Sequence, residues 1–149
     1  MQQRDMISEN AFLGGRVIRK TLPVLSPQPG APPLKRLMLP QGELAQFHDG
    51  IEPIRYLAYI ELRPGALRGN HYHKLKREYV YVIGGKTELL VQDVNSGDRA
   101  MVPLNSGDLA FIETGIAHTL RPLTDGQAIE FSAAPFDAAD IYRFPLQFT

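Results

Sequence analysis

Between residues 64 and 126 the chain reverses direction about every ten to twelve residues. Gly84-Gly85, Asn95-Ser96-Gly97-Asp98, Asn105-Ser106-Gly107-Asp108, Gly115 and Asp125-Gly126 supply the turns. The runs between them are rich in β-branched and aromatic residues, which suit a pleated surface: EYVYVI (78–83), KTELLVQDV (86–94), RAMVPL (99–104), LAFIET (109–114), AHTLRPL (117–123) and QAIEFSA (127–133). Just upstream, IRYLAYIEL (54–62) alternates, with Ile54, Tyr56, Ala58, Ile60 and Leu62 on one face and Arg55 and Glu61 on the other. Short strands at this spacing predict an all-β sandwich or barrel and exclude a βαβ fold.

Outside this stretch the pattern is sparser. GGRVIRKTLPVL (14–25) and LKRLMLP (34–40) read as strands, and SPQPGAPP (26–33) as a Pro/Gly loop. PQGELAQFHDG (40–50) suits a short helix or a loop, and FDAADIYRFPLQF (136–148) a helical turn with Asp137 near its start. The chain therefore reads as one domain. Residues 1–50 form an N-terminal extension packing on the barrel or on a partner subunit, and residues 51–149 form the barrel and a C-terminal tail.

A chain of 149 residues can bury roughly 70% of its unfolded surface, enough for a real core. Sixteen basic residues balance sixteen acidic ones, so no global field draws nucleic acid or an anionic membrane. The most basic cluster, Lys74-Leu75-Lys76-Arg77, reads as a solvated turn. The absence of cysteine excludes disulfides, thiolate nucleophiles and Cys-ligated zinc. With no signal peptide and no apolar run near ~18 residues, the expectation is a soluble cytoplasmic protein.

The chemistry concentrates in RPGALRGNHYHKLKREYVYVIGG (63–85). His71 and His73 sit two apart on a strand and share a face, with Tyr72 opposite. If KLKR is a turn, Glu78 opens the antiparallel return strand and faces His73, so two imidazoles and a carboxylate can converge. Such a set suits a divalent transition metal. An isolated His-x-His on a strand is commonly only its polar side. A third histidine, His118, follows Gly115 closely, whereas His48 reads as surface or packing.

The spacing extends beyond these side chains. Gly65, His71, His73, Glu78 and Gly85 match the first motif of the cupin superfamily. Gly107, Glu113, Gly115 and His118 resemble its second motif, with Glu113 and Pro122 standing where the family usually has proline and asparagine. The resemblance implies a double-stranded β-helix (jelly-roll) barrel with an N-terminal strand extension. It also implies one divalent metal ion (Zn, Mn, Fe or Ni) held by His71, His73, Glu78 and His118, and no organic cofactor. Gly65, Gly107 and Gly115 fall where the backbone must turn with φ > 0.

Three imidazoles and a carboxylate leave positions open for water, dioxygen or a chelating substrate. The fold hosts several chemistries, so it does not choose among them. RGNHYH (68–73) is also similar to cupin domains of nucleotide-sugar and capsular polysaccharide biosynthesis. That resemblance implies a metal-dependent isomerase or epimerase of a small carbonyl compound, such as a sugar derivative. The alternatives are an Fe(II)-dependent dioxygenase on a small polar molecule and a non-enzymatic ligand-binding cupin. Tyr56, Tyr59, Tyr72, Glu113 and Arg68 are the general acid/base candidates, none of them singled out by the sequence. The expected partner is a small-molecule substrate, not nucleic acid or membrane. Tyr79, Tyr81 and Ile83 form an apolar outer face that must be covered. Residues 14–40 or a second subunit can cover it, and the resemblance implies a homodimer.

Overall fold

The computed structural model describes residues 7–147. Two large sheets face each other. The first runs β1 (Ser8–Phe12), β2 (Val17–Thr21), β11 (Asp108–Ile112), β8 (Glu78–Gly84), β13 (Gly126–Ser132) and β6 (Tyr56–Leu62). The second runs β10 (Arg99–Asn105), β9 (Lys86–Asp93), β12 (Ile116–Pro122), β7 (Arg68–Tyr72) and β14 (Tyr142–Arg143). A small third sheet joins β3 (Val24–Leu25), β4 (Lys35–Leu39) and β5 (Gly42–Gln46). Every pairing is antiparallel except β3 with β4. Chain-adjacent strands cross repeatedly from one large sheet to the other, giving the cupin jelly roll. Among the described residues no helix is long and apolar enough to cross a membrane.

The alternation seen in the sequence places the core. Val80 and Val82 on β8, Ile60 and Leu62 on β6, and Ala110 and Ile112 on β11 point inward to meet Leu89, Val91, Ile116 and Leu120 of the opposite sheet. Gly65, Gly107 and Gly115 all have positive φ, as the turns require.

The outer face of β8 is covered by this chain itself at Tyr81, whereas Ile83 is 41% exposed. Tyr81 is 2% exposed and stacks on Phe47, with ring centroids 4.2 Å apart and planes within 3°. Leu22, Leu109 and Phe131 complete the cluster, with Leu34 and Ala45 against it. The cover thus lies at residues 22–47, only partly within the expected stretch 14–40. Tyr79 stacks on Phe131 and stays half-buried.

Two local expectations differ from the structure. Residues 42–46, expected as helix or loop, form β5. This exposed edge strand has little hydrophobic pattern of its own, and its state is set by pairing with β4, where Leu44 lies opposite Leu37. The turn after His73 is not wholly solvated, because Lys76 is buried.

Candidate metal centre

Four side chains from three strands and one turn meet between the sheets. His71 lies on β7 directly opposite His118 of β12. His73 follows β7, and Glu78 opens β8. Tyr72, between the histidines, faces the other way into a cluster with Leu90, Ala117 and Leu146. The approach of β7 to β12 depends on Gly69, whose φ is +114°. A Cβ there would lie 2.6 Å from the His118 carbonyl oxygen.

One potential ligand atom from each of His71, His73, Glu78 and His118 lies within 4.8 Å of all the others. Glu78 Oε2 is 2.9 Å from His118 Nε2 and 3.7 Å from His73 Nε2. Their other ring nitrogens face backbone carbonyls: His73 Nδ1 lies 2.8 Å from Asp140 O, and His118 Nδ1 3.0 Å from Ile116 O. A carbonyl oxygen only accepts, so each ring in its neutral form carries its proton on Nδ1 and turns the Nε2 lone pair to the centre. Those two Nε2 atoms are buried and make no hydrogen bond of acceptable geometry. Backbone carbonyls that fix the ring tautomer are a usual companion of metal-binding histidine. The donor set of three imidazoles and one carboxylate therefore fits a divalent transition metal.

The charges are strongly coupled. Burial works against ionised Glu78, but the close imidazoles of His118 and His73, and then the charge of Lys76, hold its carboxyl well below the usual range. Burial also works against charged His118, but the Glu78 carboxylate outweighs it and raises that imidazole. His71 is pushed down to about 4, first by burial and then by the neighbouring His118 and His73.

Two chambers share His71, Glu78 and Glu130 as a common wall. The smaller, of about 100 Å³, also carries Tyr56, Lys76 and residues 135–137, 140 and 141. The larger, of about 340 Å³, is lined by Arg68, His118 and apolar residues that include Leu67, Val80 and Leu120. Of the acid/base candidates, Tyr56 and Arg68 reach these chambers. Tyr59 is 59% exposed on the outer face, and Tyr72 points away. Glu113 pairs with Arg77 at 2.9 Å on the rim. His48 lies outside the quartet, with Nε2 3.1 Å from Glu52 O and its ring edge-on to Phe131.

Three further residues belong to the site. Lys76 Nζ lies 3.7 Å from Glu78 Oε1 and 4.0 Å from the centre of the Tyr56 ring. Its spacing of two from Glu78 was the available signal. Glu130 alternates with buried Ala128 on β13, so it is a carboxylate on a core face. Burial raises its pKa, and the Glu78 charge adds to that. Asp140 accepts hydrogen bonds from the backbone N–H groups of Lys74, Leu75 and Lys76 and thereby holds the turn between His73 and Glu78. No sequence pattern points to it.

Solved structures share this architecture. The chain is similar to a dTDP-6-deoxy-D-glucose-3,5-epimerase from Legionella pneumophila Philadelphia 1, with a TM-score of 0.72 and 13% identity over 93% of this chain and 77% of that one. It is similar to a dTDP-4-dehydrorhamnose 3,5-epimerase from Sulfolobus tokodaii, with a TM-score of 0.70 and 19% identity over 89% and 78% of the two chains. It also resembles a sugar 3,4-ketoisomerase from Thermoanaerobacterium thermosaccharolyticum, with a TM-score of 0.68 and 16% identity over 86% and 88%. At these identities the likeness is one of fold. In sequence, 67 residues (45% of this chain) are 31% identical to oxalate decarboxylase OxdC of Bacillus subtilis (strain 168), of whose length the match spans only 17%. The family model described as the polysaccharide biosynthesis C-terminal domain matches residues 54–132, more than half of the chain. That match runs from β6 through both histidine-bearing strands to Glu130 on β13, and the chain belongs to this polysaccharide biosynthesis C-terminal domain family.

Proposed function

We propose that this protein is a metal-dependent isomerase or epimerase that moves a proton next to the carbonyl of a sugar derivative. The observation that carries the reading is the pair of buried Nε2 atoms of His73 and His118, without a well-formed hydrogen bond, converging with His71 and Glu78 beside two chambers. A divalent ion held by these four residues would act as a Lewis acid on a substrate oxygen. Glu130 is the proton carrier. It lies on both chamber walls, its side chain makes no hydrogen bond or salt bridge with the protein among the described residues, and its pKa, raised by burial, suits a group that takes and returns a proton. Tyr56 completes the wall beside it and shapes the smaller chamber. Leu67, Val80, Leu89, Ile112 and Leu120 supply the apolar part of the larger chamber's wall, against which a sugar carbon face would pack. The epimerase and ketoisomerase activities of proteins with this fold support the choice of reaction, as does the family's link to polysaccharide biosynthesis.

The reading includes a homodimer. Leu57 and Tyr59 on β6 are 65% and 59% exposed, and Ile129, Tyr79 and Phe111 continue an apolar strip across the same sheet face that a second copy would cover.

The test is elemental analysis of protein purified without chelator, followed by incubation with dTDP-4-keto-L-rhamnose in D2O. Bound metal, with deuterium appearing at carbon next to the ketone, is the expected result. Absence of metal from protein supplied with Zn, Mn, Fe and Ni would refute the metal site. Oxygen consumption without exchange would transfer the protein to the dioxygenase class.

A further inference from the structure

Lys76 is the one cation aimed into the smaller chamber, and its surroundings are unusual. Its side chain is 9% exposed. Its ammonium lies over the Tyr56 ring, 4.0 Å from the ring centre. The ion pair with Glu78 Oε1 is 3.7 Å long, beyond hydrogen-bond reach. Among the described residues the ammonium makes no other ion pair and no hydrogen bond, so the protein supplies no acceptor for its three donors. The ammonium itself opens onto the chamber, where its three donors are left to water or to a ligand.

The position is set with some care. Asp140 anchors the Lys76 backbone N–H at 3.1 Å, as well as those of Lys74 and Leu75. The turn is therefore fixed, and Lys76 is presented to the chamber next to His71, Glu78 and Glu130. The space there is about 100 Å³, or room for about three water-sized groups. That fits a carboxylate, or a carbonyl with its adjacent hydroxyl, as the part of a ligand that enters this chamber.

We propose that Lys76 is the anchor of an oxyanion subsite, which holds a carboxylate or other small planar oxyanion of the ligand between its ammonium and the His71–His73–Glu78–His118 quartet. This inference deepens the functional reading and rests on it for the ion at the quartet. It narrows the ligand to compounds that present two neighbouring oxygens, one of them anionic, to this chamber. Glu130, on the same wall, sets a limit on the subsite: its like charge weakens a bound dianion, whereas Lys76 strengthens it.

Oxalate is a planar dianion of the right size and is the probe. Wild type is loaded with Mn(II), its metal content is measured, and oxalate is titrated in by calorimetry. Lys76→Met, which keeps the length of the stem, should weaken oxalate about 10- to 100-fold, the loss of a charge-assisted hydrogen bond, with Mn content unchanged. Lys76→Arg keeps the charge and should retain binding within severalfold. Glu130→Gln should bind oxalate more tightly than wild type, an effect of opposite sign that general damage to the fold would not produce. Oxalate affinity unchanged in Lys76→Met, or no oxalate binding to Mn-loaded wild type at millimolar concentration, overturns the subsite. Failure of wild type to take up Mn(II) or any other divalent metal refutes the quartet reading instead. The same titrations on metal-free protein then decide for or against Lys76 by the same comparison.

Discussion

Replacing Asp140 by alanine should damage the metal centre without touching a ligand. The Asp140 carboxylate is buried and accepts from three successive backbone N–H groups, at 2.8 Å from Lys74, 3.2 Å from Leu75 and 3.1 Å from Lys76. A hydrogen bond to a charged group contributes about 1.5–3 kcal/mol net. The three bonds share one carboxylate, and the N–H groups of exposed Lys74 and Leu75 can be rehydrated, so the full sum does not apply. The Lys76 N–H is buried and loses its partner outright. We expect Asp140→Ala to cost about 3 kcal/mol in urea denaturation of metal-free protein. His73 is also held by the Asp140 carbonyl, so loosening this turn should lower metal affinity about 10- to 100-fold in a chelator competition. Burial opposes ionisation of Asp140, but these hydrogen bonds lower its pKa. Its contribution is therefore present above the unfolded value near ~3.9 and is lost as pH falls through the folded value. The stability difference between wild type and Asp140→Ala should shrink below about pH 4. A variant as stable as wild type, with unchanged metal affinity, would show that the tail does not hold the turn.

Four further outcomes are expected. Glu78→Gln keeps the volume but removes the only anionic ligand, so metal affinity should fall by more than about 100-fold while the circular dichroism of the barrel persists; wild-type affinity would place Glu78 outside the coordination shell. In metal-free protein the lowered pKa of His71, about 4, means that the unfolded chain takes up its proton first, so stability should fall between about pH 6.5 and 4; His71→Gln should flatten that part of the melting-temperature profile, and an unaltered slope would contradict the assignment. Phe47→Ala removes the ring stacked on Tyr81 and should cost about 2–3 kcal/mol without changing metal content, as read by denaturation and mass spectrometry. Gly69→Ala sets a Cβ against the His118 carbonyl at a positive φ and should cost about 2–4 kcal/mol; equal stability would mean that β7 shifts freely against β12.

The barrel was legible because its strands alternate strictly. Val80 and Val82 face in, and the neighbouring Tyr81 faces out. The convergence of His71, His73 and Glu78 was also readable from their spacing, but not its geometry: β8 does not return beside β7 as a hairpin, it crosses to the opposite sheet, so Glu78 meets the histidines across the barrel. What escaped were features decided by distant partners. Strand β5 has no hydrophobic pattern of its own and forms because β4 lies beside it. Lys76 looked like one charge of a basic run, although the run divides between exposed Lys74 and Arg77 and the buried Lys76. Glu130 resembled the polar residue of an ordinary edge, because only the packing of β13 between β6 and β8 reveals that its face is the inner one. Asp140 acts across 64 to 66 residues of sequence, and no local rule reaches that far.

The long separation of the assembling pieces bears on how the proposed ion would be acquired. In an emerging chain His71 and His73 alone would offer only a loose two-nitrogen chelate, and a chelate of that kind favours copper over the other common divalent ions. His118 arrives much later, and the turn that orients His73 and Glu78 is not fixed until Asp140 has docked. A fully shaped four-ligand cage therefore exists only once the last strands have closed the barrel, a step delayed by the non-local pairing that makes β-barrels slow to fold. On the proposed reading, metal choice would then be made by a rigid cavity of fixed geometry instead of by the affinity of a nascent segment. Protein refolded in a mixture of ions should consequently carry a different metal from protein loaded after folding.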